Sequence, residues 1–98
     1  MNPLQELQRW YQSQCNGDWE HAYGVKIDTL DNPGWSLTIE LTGTNLADRY
    51  FTKIDRLADT NWLSCDVRDS RFEGRGGPLM LEELIKTFLA WAQQIREP

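Results

Sequence analysis

This chain of 98 residues predicts an α+β fold, an antiparallel sheet of about four strands flanked by N-terminal and C-terminal helices. Three observations lead there. Apolar residues recur at helical spacing only near the two ends. Between the ends they alternate with polar residues, which is the period of a half-buried strand. Turn signals rich in Gly, Pro, Asn and Asp separate the alternating runs, so neighbouring strands run antiparallel through short connections.

The first helix opens with Asn2 as a cap and with Pro3, whose missing N–H costs nothing in a first turn. Leu4, Leu7 and Tyr11 form its apolar stripe, widened by Trp10, and Asn16-Gly17 ends it. From Tyr23 the period becomes two: Tyr23, Val25, Ile27 and Thr29 oppose Lys26 and Asp28. Asp31-Asn32-Pro33-Gly34 turns the chain into a second strand. There Trp35, Leu37, Ile39 and Leu41 alternate with Ser36, Thr38 and Glu40.

After the turn "TGTNLAD", Tyr50 to Leu57 is expected to form a third strand. "ADTN" leads to a fourth over 62–68, with Leu63, Cys65 and Val67 on one side and Trp62, Ser64, Asp66 and Arg68 on the other. Phe72 continues that edge or begins a short strand of its own, and "GRGGP" reads as a flexible turn. Pro78 opens the last helix, where Glu82 and Glu83 suit the dipole. Its apolar face is Leu81, Leu84, Ile85, Phe88, Ala92 and Ile95, with Leu89 and Trp91 at the margins. The expected order is α-β-β-β-β-α in a single domain over 1–98.

Composition narrows the function. An apolar content of 40% with 26% charged residues fits an ordered chain, and the length leaves no room for a dinucleotide-binding domain. Ten basic against fifteen acidic residues give a net charge of −5, which argues against nucleic-acid binding and suits a basic partner. Cys15 and Cys65 show no metal-ligand spacing. "MNPLQELQRW" is unlike a secretory leader, and no apolar run approaches the roughly 20 residues that cross a membrane. A cytoplasmic protein that binds neither nucleic acid nor membrane is expected.

Three clusters invite a chemical reading. Asp18, Glu20 and His21 could bind a metal or form an acid–base pair, giving a small metal-dependent or hydrolytic enzyme; this is the only His, however, and a zinc helix needs two. The simpler reading has Asp18 and Glu20 accepting loop amides. Trp19, Trp35 and Tyr23 could line a small-ligand pocket, or Trp35 could belong to the core while Trp19 plugs the gap between helix and sheet. Gly74 to Pro78 precedes a helix but lacks the Lys and Ser or Thr of a phosphate loop. Neither Cys has a His partner of the kind a nucleophile needs. With no catalytic set and no cofactor signature, a binding module is favoured over an enzyme.

The stretches "LQRWYQSQCNGDWEHAYGVKIDTLDNPGW", "IELTGTNL", "WLSCDV" and "FEGRGGPLMLEELIKTFLAW" together resemble the Immunity protein 53 family over nearly the whole chain. The positions carrying the motif are Gly17, Asp18, Trp19, Glu20, His21, Tyr23, Gly24, Asp31, Asn32, Pro33, Gly34 and Trp35. Asn16 stands where the family's pattern has Asp. The resemblance implies an immunity protein of a bacterial polymorphic-toxin system, cytoplasmic, without catalytic residues or cofactor, that binds a cognate toxin domain. The motif itself reads as structural. The expected contacts with a basic toxin surface are the outward residues Glu40, Asp55, Trp62, Asp66 and Asp69.

Overall fold

The computed structural model describes residues 2–93. Helix α1 (Pro3–Gln14) and the single turn α2 (Trp19–Ala22) lead into strands β1 (Val25–Leu30), β2 (Gly34–Glu40), β3 (Ile54–Arg56), β4 (Leu63–Arg68) and β5 (Arg71–Gly76), and α3 (Leu81–Ala92) follows. The strands form one antiparallel sheet in the order β1-β2-β5-β4-β3. Two tight hairpins, β1–β2 and β4–β5, lie side by side, and the long stretch after β2 crosses to the far edge to begin β3. That is a Greek-key connection. The α+β architecture stands, with five strands where the sequence marks about four.

The extra strand is the Gly-rich segment. Gly74, Arg75 and Gly76 belong to the central strand β5 rather than to a flexible turn, and the reason is packing against α3. A Cβ added to Gly74 would come within 3.0 Å of Leu84 Cδ2, and one added to Gly76 within 2.9 Å of Met80 Cβ. Bare backbone at these positions lets α3 lie close on the middle of the sheet.

One face of the sheet is the core. Leu37, Ile39, Leu63, Cys65 and Phe72 point into it and are fully buried, under Leu84, Ile85, Phe88 and Leu89 of α3. Full burial of each such large apolar side chain contributes about 1.5–3 kcal/mol. Leu89 and Trp91 are buried rather than marginal, because the crossing segment wraps the far flank of α3: Trp91 Nε1–H donates to Tyr50 O at 2.8 Å, and Phe51 meets its ring edge-on. Arg49 Nη1 donates to Trp91 O and Ala92 O, satisfying carbonyls at the helix end. This segment is irregular where a third strand is expected; only Ile54–Arg56 pairs, and Tyr50 and Leu57 are exposed.

In α1 the capping box of Asn2 and Gln5 is present. Its buried stripe is shifted from the expected one. Leu7 and Trp10 face α3, with Trp10 edge-on to Phe88 at 4.9 Å, while Leu4 and Tyr11 are exposed. The helix ends at Gln14. Ile95 lies outside the described residues.

Candidate functional site

The motif around Trp19 is a backbone clasp. Asn16 Oδ1 accepts from the N–H groups of Asp18 and Trp19, both at 2.9 Å. In return, Glu20 Oε1 and Oε2 accept from the N–H groups of Asn16 and Gly17, also at 2.9 Å. Gly17 takes a φ of +98°, a region that favours glycine. The Glu20 carboxyl is held below the ordinary carboxylate range, first by its own backbone amide; burial opposes this, and the amides of Asn16 and Gly17 and the nearby His21 lower it further.

Trp19 is the pin of the clasp. It is 4% exposed, its Nε1–H donates to Thr42 O at 2.8 Å, and its ring meets Trp10, Tyr11 and Tyr23. Gly43, with φ +81°, passes beneath it, since a Cβ there would sit 3.3 Å from Trp19 Cδ1. The loop amides are therefore met by Asn16 and Glu20. Asp18 makes no capping bond, and Asp18 and His21 are exposed. Among the described residues, no group of three or more His, Cys, Asp and Glu side chains is placed to hold a metal.

Trp35 lies at the other end of β2 from Trp19. Its Nε1–H donates to Pro78 O at 2.9 Å, tying the first hairpin to the segment before α3. Trp19, Trp35 and Tyr23 therefore do not converge on one pocket. An open cleft of about 960 Å³ lies beside the start of β1, lined by Tyr11, His21, Tyr23, Lys26 and Arg71 among others, and by neither of these Trp residues.

The other face of the sheet is covered by no described element. The register aligns its side chains in rows: Asp28, Ser36, Arg75, Ser64 and Asp55 in one, and Lys26, Thr38, Glu73 and Asp66 in the next. None of them is buried. Four of the five expected contact residues fall on this face: Glu40, Asp55 and Asp66, with Trp62 at its end. The fifth, Asp69, is exposed in the β4–β5 turn with φ +52°. The indole of Trp62 lies over a glycine floor, since Cβ atoms added to Gly34 and Gly77 would each come within 3.3 Å of it. Glu40 is already engaged, by Arg71 Nε at 3.1 Å and Thr42 Oγ1 at 2.8 Å. Among the described residues Asp55 pairs with Lys53 alone, at 3.9 Å, and Asp66 Oδ1 accepts from the Val67 amide at 2.8 Å.

The clasp, the hairpin turn and the α3 docking strand join the motif stretches into one scaffold, and the Immunity protein 53 family matches residues 4–93. The chain belongs to that family. No curated protein and no solved structure matches it. Membership in the Immunity protein 53 family supports an immunity function. Among the described residues, no helix is long and apolar enough to cross a membrane. Sequence reasoning missed Asn16, Thr42 and Gly43 as parts of the clasp. Asn16 was legible in principle, because Asn before Gly is a turn signal whose side chain accepts from the backbone amide two residues on. The Thr42 carbonyl and Gly43 are brought in by tertiary folding alone.

Proposed function

We propose that the protein binds a cognate toxin domain and neutralises it by stoichiometric occlusion, with the open face of its sheet as the docking surface. The observation that carries this reading is the asymmetry of the sheet: the helices fill one face, and the other is left uncovered by every described element. A sheet backed by a packed core offers its side chains without reordering, which limits the entropic cost of binding. Trp62, half-buried on its glycine floor, is the aromatic anchor of the surface. Asp55, Asp66 and Asp69 supply carboxylates around it. Glu40, held by Arg71 and Thr42, contributes shape and a fixed dipole rather than a free charge. The net charge of −5 steers a basic toxin toward the protein. The toxin is covered rather than chemically altered, and no catalytic residue, metal or cofactor takes part.

Co-expression with the toxin domain encoded beside it tests this reading. The wild type is expected to rescue growth and to co-purify with the toxin. A variant with Glu40, Asp55, Asp66 and Asp69 changed to their amides and Trp62→Ala is expected to lose both. Wild-type affinity in that variant would overturn the placement on the open face. Rescue without a complex would overturn occlusion.

A further inference from the structure

We propose that β1 is the seam of a two-fold dimer, in which the free edges of two copies pair antiparallel about Ile27 and join the two sheets into one. Glu40 N–H donates to Gly24 O at 3.1 Å, with Gly24 opposite Glu40 in the register. Residues of an antiparallel ladder alternate between pairs that bond each other and pairs whose backbone groups point away. Lys26, Asp28 and Leu30 therefore turn their N–H and C=O groups to β2. Val25, Ile27 and Thr29 turn theirs outward, where no described residue meets them.

Edge strands are usually blunted by brevity, charged side chains, proline or a bulge. At the opposite edge β3 is only three residues long. β1 carries charges, Lys26 and Asp28, but neither brevity, proline nor a bulge interrupts it. It runs six residues, paired without a break from Val25↔Ile39 to Leu30↔Gly34.

The occupant is a second copy because this strand is complementary to itself. A two-fold axis at Ile27 sets Ile27 against Ile27 of the other copy, and Val25 against Thr29. All the outward backbone groups then find partners. On the open face the same axis sets Lys26 of each copy opposite Asp28 of the other. Both side chains are exposed, and neither has an ion-pair partner among the described residues. An axis at Lys26 or at Asp28 would instead set like charges against each other. On the helix side Ile27, 38% exposed, loses water against its symmetry mate. The dimer is independent of toxin binding, and it places two open faces side by side on one continuous sheet.

Sedimentation equilibrium of the full chain over a concentration series tests the seam. The wild type is expected to show a monomer–dimer equilibrium. Lys26→Asp puts Asp against Asp at both charge pairs and is expected to weaken the dimer by about tenfold. Lys26→Asp with Asp28→Lys restores opposite charges and is expected to restore the dimer. Ile27→Pro removes an outward N–H that β2 does not use, and is expected to give a folded monomer by circular dichroism. A wild type that stays monomeric up to about 1 mM overturns the proposal. So does a dimer unaffected by Lys26→Asp, or one that the double exchange fails to restore. Toxin binding that Ile27→Pro abolishes in a chain otherwise always monomeric would assign the edge to a strand of the toxin instead.

Discussion

Glu20 satisfies two backbone amides with one carboxylate, and this makes the clasp sensitive to acid. Its folded pKa is depressed, so its contribution to stability is present above the unfolded value of about 4.3 and is lost as pH falls through the folded value. Urea melts of Glu20→Gln against wild type should show a stability gap near neutral pH that closes below about pH 4. An unchanged gap in acid would mean that the carboxylate charge is not what holds the loop. Cys65 presents the converse case. Burial pushes its thiol up to about 12, with Arg56 pulling slightly the other way. A neutral, fully buried thiol does not attack disulfide reagents. Cys15, half-exposed, should therefore be the one Cys that reacts with a thiol reagent in the native protein, both reacting in denaturant. Rapid native labelling of Cys65 would contradict its place in the core.

At the scale of elements, β5 teaches most. Strands favour β-branched and aromatic residues, so Gly74, Gly76 and Gly77 made this segment look like a turn. Gly74 and Gly76 are there for the helix above, where a Cβ would meet Leu84 and Met80, and Gly77 for the neighbouring loop, where a Cβ would meet Thr60 O. Gly76→Ala should cost about 1–3 kcal/mol in chemical denaturation, because the new Cβ meets Met80 Cβ at 2.9 Å and Trp62 O at 3.2 Å. Gly24→Ala, whose added Cβ meets nothing, should change stability by less than about 0.5 kcal/mol. Equal effects would mean that α3 does not press on β5. The same contrast marks what was legible. Alternation placed Leu37, Ile39, Leu63 and Cys65 inward and Trp62 and Asp66 outward, because a period of two follows from the pleat. It could not place Tyr50 or Phe51, whose position depends on Trp91, some forty residues along the chain. Nor could it tell Leu7 and Trp10 from Leu4 and Tyr11 on α1, since a helical stripe gives a face and the partner α3 decides its centre.

Across the whole molecule, packing is one-sided. Two helices and the crossing segment secure one face of the sheet, and what remains is a stiff plane of mixed charge ending in Trp62. The five positions the sequence offered for partner contact are scattered through the chain, and antiparallel pairing brings four of them to that plane. Trp62→Ala should weaken toxin binding by about 2 kcal/mol or more, read by calorimetry, if the indole is an interface anchor. Its removal with no change in affinity would move the docking surface elsewhere. The most direct test of occlusion is a titration of the toxin domain's activity with purified protein. An account in which the toxin is covered predicts a linear fall to zero at one protein per toxin. Suppression of the toxin's effect by far less than one equivalent would mean turnover, and would contradict it.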